Sequence, residues 1–157
     1  MKETNIQHPK SNIQRLSSRS YPQRPILGVG AIIIEGERVL LVERGREPLK
    51  GYWSLPGGVL EVGEKLADGI RREVLEETGL EIELLSVVEI FERIMPDAAG
   101  LVEYHYVLID YLCRVIGGAL KAGDDVSIAR WVERGRLPDY RITEGTLPVI
   151  EKAFQAL

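Results

Sequence analysis

The apolar residues follow two patterns along the chain, one typical of strands and one typical of helices. Nearly continuous runs of β-branched and aliphatic residues at 26–34 and 38–44 are separated by Glu-Gly-Glu, which is typical of two buried strands joined as a hairpin. Two further extended runs, at 81–94 and 102–115, are joined by the turn-forming segment MPDAAGL and predict a second hairpin. A shorter run at 129–133 predicts another strand, so most of the apolar residues belong to a sheet.

The apolar period changes between the two predicted hairpins. Apolar residues recur there at the spacing of a helix, at Leu66, Ala67, Ile70 and Val74. This spacing predicts a helix over Glu64 to Thr78, and Gly79 is placed to end it. A second helix is predicted over about 144–156, with Thr143 or Thr146 as its N-cap. Strands on both sides of a central helix, with another helix at the end, predict an α/β sandwich built on a mixed sheet.

The length suits one domain preceded by a polar arm. Residues 1–24 are rich in Ser, Asn, Gln and Arg and predict a basic N-terminal arm, whereas residues 25–157 hold the predicted elements. No apolar run approaches the ~18 to 20 residues that cross a bilayer, and the N-terminal segment lacks the apolar core of a secretory signal. The lone Cys113 lies in an apolar run, as a small hydrophobe does. These features predict a cytoplasmic protein.

The formal charge of −4 at pH 7 is unevenly distributed. Residues 1–25 carry five Lys or Arg against Glu3 alone, so the rest of the chain carries −8. Nucleic-acid-binding surfaces normally show clustered Lys and Arg, which argues against nucleic acid as the partner of the domain. Small anions that bind together with a divalent cation are compatible with an acidic surface.

The predicted helix over Glu64 to Thr78 concentrates acidic residues on one side. At roughly 100° per residue, Glu73, Glu76 and Glu77 share a face about a quarter turn from the apolar stripe. Three carboxylates within one turn repel one another, and hard oxygen ligands in this grouping suit Mg²⁺ or Mn²⁺. Arg72 precedes Glu76 by four residues and is placed to orient its carboxylate. For these glutamates alone, the alternative is a solvated acidic face.

The segment before this helix is punctuated by proline and glycine. Residues 47–58, EPLKGYWSLPGG, predict a loop that contains a short strand at 53–55. The closing glycines allow a sharp turn and a close approach of the backbone to a ligand. The carbonyl of Gly58 would then join the metal ligands.

The loop and the helix together carry a family signature. Gly58, five residues, Glu64, seven residues, Arg72-Glu73-Val74, one residue, Glu76-Glu77, one residue and Gly79-Leu80 match the Nudix box without a departure. Seven fixed residue types at about 6 to 7% usage give a chance occurrence on the order of 10⁻⁸ per starting position. With the GYWSLPGG approach and the late ARWVE strand, residues 26–156 resemble a bacterial Nudix hydrolase.

This resemblance implies both a fold and a reaction. The fold is a Nudix-type α/β/α sandwich with a mixed β-sheet, whose loop-helix-loop motif binds divalent cations and hydrolyses a nucleoside diphosphate linked to another moiety. Glu73, Glu76 and Glu77 occupy the metal-ligand positions of the family. Arg72 and Glu64 occupy positions that support the motif by ion pairing, with Glu64 sometimes closer to the chemistry.

The general base is a further expectation from the resemblance. Nudix enzymes draw it either from the box glutamates or from a distant loop, and Glu76 or Glu77 is the first choice here. Asp124 and Asp125, in KAGDDVS before the last strand, are the loop candidates. Gly-Asp-Asp is also ordinary turn chemistry, and we favour that interpretation.

Substrate choice depends on residues outside the box. Arg44 and Arg46 follow the second strand and are candidates for contacts with terminal phosphate or sugar groups, although arginines near strand ends are often only solvated. Trp53 suits a core anchor better than a base-stacking residue. Pro96, sixteen residues after Leu80, resembles the downstream proline of ADP-ribose pyrophosphatases, but its segment suits a hairpin turn equally well.

These observations rank three functions. Mg²⁺- or Mn²⁺-dependent hydrolysis of ADP-ribose or a related nucleotide sugar comes first, and hydrolysis of oxidised or non-standard nucleoside triphosphates comes second. A non-catalytic regulatory or ligand-sensing module is third, because such domains often lose box glutamates and this chain keeps them all. A homodimer is expected by family analogy alone.

Overall fold

The computed structural model describes residues 19–121 and 126–157, so residues 1–18 of the predicted arm lie outside it. In chain order the elements are β1 (Ile26–Glu35), β2 (Arg38–Arg44), β3 (Trp53–Ser54), β4 (Gly57–Val59), α1 (Leu66–Thr78), β5 (Leu80–Pro96), β6 (Val102–Gly118), β7 (Val126–Glu133), a 3₁₀ segment (Arg134–Asp139) and α2 (Thr146–Gln155). Among the described residues, no helix has the length and apolar character needed to cross a membrane.

A mixed sheet forms the centre of the fold. Its order is β3-β2-β1-β6-β5, with β4 also paired with β1 and β7 with β2. Both expected hairpins are present, since β1 pairs antiparallel with β2 and β5 pairs antiparallel with β6. The central pair, β1 and β6, is parallel. This pair joins the two hairpins into one sheet and makes the sheet mixed, as the sequence predicts.

Alternation along β1 divides the core between the two faces of the sheet. Ala31 and Cys113 pack with Ile70 and Val74 of α1, whereas Ile32 packs in the cluster that contains the apolar side chains of α2. Burial raises the pKa of the Cys113 thiol to about 12, which fits a small hydrophobe. The two helices therefore cover opposite faces, and the expected α/β/α sandwich is confirmed.

Helix α1 begins later than the sequence predicts, at Leu66 rather than Glu64. Lys65 has an extended backbone, with φ −75° and ψ 150°, and Glu64 belongs to the preceding turn. The predicted end is confirmed, because Gly79 adopts the left-handed conformation at φ 76° and donates its N–H to the Leu75 carbonyl. A glycine therefore ends the helix that carries the acidic face.

The predicted N-cap of α2 is wrong. The helix begins at Thr146, and Gly145, with φ 82°, occupies the N-cap position without a side-chain hydrogen bond. The hydroxyls of Thr143 and Thr146 instead hydrogen-bond to each other at 2.7 Å. Both threonines line the cavity described below, and neither hydroxyl caps the helix.

Candidate active site

The glycine-rich segment before α1 is a short strand, which corrects the expectation of a loop. Strand β4 pairs antiparallel with β1, so that Gly28 lies opposite Val59, Val29 opposite Gly58, and Gly30 opposite Gly57. This pairing brings glycine-rich parts of two strands together beside α1. Next to them opens a cavity of about 340 Å³, within the range of small-molecule sites.

Charged side chains of both signs line this cavity. They are the carboxylates of Glu47, Glu61, Glu73, Glu76, Glu77 and Asp110 and the guanidiniums of Arg19, Arg44, Arg46, Arg72 and Arg93. Gly58 also lines it, together with apolar and hydroxyl-bearing side chains from the strands and α2. Of the predicted catalytic and metal-binding residues of the box and the predicted substrate-binding arginines, all except Glu64 therefore line one cavity.

Gly58 gives space to the carboxylate of Glu73. A Cβ built on Gly58 would overlap that carboxylate, so a larger residue at this position would displace it. Burial raises the pKa of Glu73, and the hydrogen bond that Arg72 Nη1 donates to its Oε1 at 2.8 Å opposes this shift. Glu73 is thus a desolvated carboxylate that Arg72 holds in the space beside Gly58.

The backbone of β4 fixes a second carboxylate. The N–H of Gly57 donates a hydrogen bond to Glu77 Oε2 at 2.9 Å. This bond ties the last turn of α1 to the strand that precedes the helix. Glu76 lies at the rim of the cavity, where its side chain is 59% exposed.

Arg72 connects three box carboxylates. Its Nε and Nη2 donate to Glu64 at 2.7 and 3.0 Å, and its Nη1 donates to Glu73 at 2.8 Å and to Glu76 at 3.4 Å. The hydrogen bonds from Arg72 are the largest cause that lowers the pKa of Glu64 to about 2. Glu64 is ion-paired behind Arg72 and does not line the cavity, which fits the bracing role.

The donor chemistry of the α1 carboxylates fits a divalent cation. Glu73, Glu76 and Glu77 offer hard oxygen ligands, and the missing side chain of Gly58 leaves room beside one of them. Within the described part of the chain, no three His, Cys, Asp or Glu side chains already form a ligand cluster. In this arrangement Arg72 and a backbone N–H bind the carboxylates. The metal-ligand roles therefore stay predictions.

Two half-buried arginines reach the cavity from the strands. Arg44 of β2, a predicted substrate residue, donates from Nε to the Pro48 carbonyl at 2.8 Å. Arg93 of β5, which the sequence analysis missed, donates from Nη2 to the Glu144 carbonyl at 2.8 Å and lies over the ring of Phe91. Burial lowers the pKa of both guanidiniums, which nevertheless stay protonated at neutral pH. The binding of phosphate oxygens by such guanidiniums stays a prediction.

Asp110 of β6 is a second residue that the sequence analysis missed. It is 5% exposed, it lines the cavity, and burial raises its pKa to about 6 against the opposing charge of Arg93. Its carboxylate interrupts the apolar run VLIDYLC. A single charge inside an otherwise apolar run was the available signal, because such positions normally hold hydrophobic residues.

The ionisation of Asp110 is expected to lower the stability of the fold as the pH rises. The folded pKa of Asp110 is about 6 and lies above the unfolded value of about 3.9. The stability associated with the protonated carboxyl is therefore fully present below about pH 4 and is lost as the pH rises through 6. The loss is on the order of 2 to 3 kcal/mol, with Arg93 and Glu89 as the facing charges. Asp110→Asn removes this titration, so the Tm of the variant should match wild type near pH 4 and exceed it near pH 7.5.

Thermal unfolding across that pH range measures the effect. Asp139→Asn is the control, because the Asp139 side chain is 55% exposed and pairs with Arg136 on the surface. A Tm difference between Asp110→Asn and wild type that does not vary with pH would contradict the assignment.

Two further candidates, Trp53 and Pro96, do not line the cavity. Trp53 packs against the core, which confirms its interpretation as an anchor. Pro96 lies at the end of β5, beside a turn in which Asp97 Oδ1 accepts two backbone hydrogen bonds. Asp124 and Asp125 lie outside the described residues, so the loop candidates for the general base stay predictions.

Comparisons with known proteins point to one family. The family model for the NUDIX domain matches residues 24–153. The chain is 37% identical over 114 residues to an ADP-ribose pyrophosphatase of Methanocaldococcus jannaschii, a match that covers 73% of this chain and 65% of that protein. It is 29% identical over 131 residues to an 8-oxo-dGDP phosphatase of Homo sapiens, covering 81% of this chain and 38% of that protein. The chain thus spans less than two thirds of the length of either relative.

A solved structure shows the same fold. The crystal structure of a MutT NUDIX hydrolase from Burkholderia pseudomallei superposes with a TM-score of 0.73 at 29% sequence identity. The match covers 83% of this chain and 98% of that chain. The similarity therefore extends well beyond the box.

Proposed function

Because this chain belongs to the Nudix family, we propose that it hydrolyses the pyrophosphate bond of a nucleoside diphosphate linked to another moiety, with ADP-ribose or a related nucleotide sugar as its substrate. The observation that carries this proposal is one cavity in which the box carboxylates of α1 meet half-buried arginines from β2 and β5. The relative that is 37% identical is named an ADP-ribose pyrophosphatase, which supports this substrate class.

The α1 side of the cavity is suited to hold a cation. Glu73, Glu76 and Glu77, with the carbonyl of Gly58, would bind Mg²⁺ or Mn²⁺. When bound, such a cation supplies charge neutralisation and lowers the pKa of a coordinated water. Arg72 orients two of these carboxylates through its hydrogen bonds.

The strand side of the cavity is suited to hold the substrate. Arg44 and Arg46, with Arg93, would bind phosphate oxygens and place the pyrophosphate against α1. Glu76 or Glu77 would accept the proton of the attacking water. Water then forms a bond to one phosphorus, and the bond from that phosphorus to the bridging oxygen breaks, so that the second phosphate leaves.

A substrate panel with Mg²⁺ and Mn²⁺ tests the proposal. The panel contains ADP-ribose, other nucleotide sugars, dinucleoside polyphosphates and 8-oxo-dGTP, and products are identified by mass. We expect ADP-ribose to have the highest kcat/KM and to yield AMP and ribose 5-phosphate. Removal of the cation with EDTA should abolish turnover, and added Mg²⁺ should restore it.

Two other outcomes would replace this proposal. A higher kcat/KM for 8-oxo-dGTP would favour the second candidate, which shares its oxidised guanine with the substrate named for the 8-oxo-dGDP phosphatase. Binding of ADP-ribose without turnover would favour a ligand-sensing module. Light scattering on the same samples would test the homodimer, which stays a prediction.

A further inference from the structure

The carboxylate of Asp110 makes no hydrogen bond with the described residues. Apart from burial, only charge interactions with Arg93 and Glu89 act on it. The other buried polar residues in the described ranges are threonines, and each makes a hydrogen bond, as Thr78 does to the Val74 carbonyl. Asp110 is therefore a buried acceptor without a donor on the described part of the protein.

Strand pairing places this carboxylate in the cavity. Asp110 lies beside Gly30 in the parallel β1–β6 pair, and a Cβ on Gly30 would overlap its Oδ1. No fully enclosed side-chain oxygen in the described residues lacks a partner, so the oxygens of Asp110 are open to the cavity that this residue lines. Gly30 also pairs with Gly57, whose N–H holds Glu77. Asp110 thus lies close to the box without belonging to it.

A buried carboxylate without hydrogen bonds destabilises a fold. A group of this kind in a ligand cavity indicates a role in binding or catalysis more than a role in packing. An ionised carboxylate only accepts hydrogen bonds, through two oxygens that lie side by side. Its complement is a ligand that presents two neighbouring O–H or N–H donors.

We infer that Asp110 is a specificity-determining residue that accepts two neighbouring hydrogen bonds from the nucleoside or sugar part of the substrate. This inference rests on the proposed function, because it assumes that a nucleotide fills the cavity. Two parts of such substrates present the donor pair: the vicinal hydroxyls of a ribose, and N1–H with the exocyclic amino group of guanine. Adenine places an acceptor, N1, beside its amino group, so in ADP-ribose the hydroxyls are the source.

The test compares Asp110→Asn with wild type on substrates that differ by one donor. ADP-ribose is compared with analogues that lack the 2′-hydroxyl on either ribose, and GDP-ribose with IDP-ribose, which lacks the exocyclic amino group. We expect the variant to lower kcat/KM for the donor-bearing substrate at least about tenfold, mainly through KM. The wild-type preference within a pair should fall to about one in the variant. The substrate pair in which the preference falls identifies the part of the substrate that donates the hydrogen bonds.

Two further variants make the test specific. Gly30→Ala would displace the Asp110 carboxylate while keeping its charge, and it should reduce the same preference. Asp139→Asn, on the surface, should leave every ratio unchanged. An equal loss on all substrates, or unchanged preferences in Asp110→Asn, overturns the role.

The proposed function and the role of Asp110 fail separately. Wild-type turnover of ADP-ribose tests the proposed function, whereas the change in preference between variant and wild type tests Asp110. If triphosphates are the better substrates, GTP with dGTP and GTP with ITP provide the same two comparisons. In that case the proposed reaction is replaced by triphosphate hydrolysis, and these two comparisons still test the role of Asp110.

Discussion

Glu77→Gln is expected to lower Mg²⁺-dependent hydrolysis by on the order of 10³-fold while leaving α1 in place. Glutamine keeps an oxygen that can accept the Gly57 N–H, which now lies 2.9 Å from Glu77 Oε2. It removes the negative charge that a metal ligand or a proton acceptor requires. The measurement is kcat/KM for ADP-ribose over a range of Mg²⁺ concentrations, with Mn²⁺ binding followed by electron paramagnetic resonance.

The same chemical change on the surface is the control. Glu83 pairs with Arg114 across the exposed face of β5 and β6 and does not line the cavity, so Glu83→Gln should keep activity within about twofold. Glu77→Ala removes both the charge and the hydrogen bond. If Glu77→Gln kept wild-type turnover and only Glu77→Ala lost it, Glu77 would be an anchor for β4 and its metal role would be wrong.

Side-chain periodicity predicted most of the fold because most elements bury one face. The apolar runs that form β1 and β2 gave their bounds to within a residue, and the stripe through Ile70 and Val74 gave α1. Strand β4 lacks this signal, since two of its three residues are glycines. Its conformation depends on pairing with β1, a contact that local sequence does not specify.

The candidate site also contains residues that the sequence predicts and residues that it does not. The box residues were predictable because one helix carries them at fixed spacing, so their common face follows from helical geometry. Arg93 and Asp110 come from β5 and β6, and they reach the cavity only through the order of strands in the sheet. The parallel pairing that sets Asp110 beside Gly30 joins residues about eighty positions apart. Neither residue has a local pattern that reveals such a neighbour.

Gly58→Ala is expected to lower turnover by on the order of 10²-fold because it displaces a carboxylate without removing it. Gly58 is not among the glycines with positive φ, so its backbone conformation accepts alanine. The new Cβ would overlap the Glu73 carboxylate, which must then leave the position where Arg72 holds it. A displaced ligand weakens metal binding, so the apparent Kd for Mg²⁺ should rise about 10- to 100-fold. Saturating Mg²⁺ should restore part of the turnover.

Two comparisons separate this effect from a general loss of structure. Gly135→Ala is the matched control, because a Cβ there meets no heavy atom within 4 Å, and its activity should stay within about twofold of wild type. In the Gly58→Ala background, Glu73→Asp shortens the side chain and relieves the overlap. The double variant should therefore lose less than the product of the two single losses. Strictly multiplicative losses, or unchanged Mg²⁺ affinity in Gly58→Ala, would show that Arg72 alone places Glu73 and that the glycine serves only the pairing of β4 with β1.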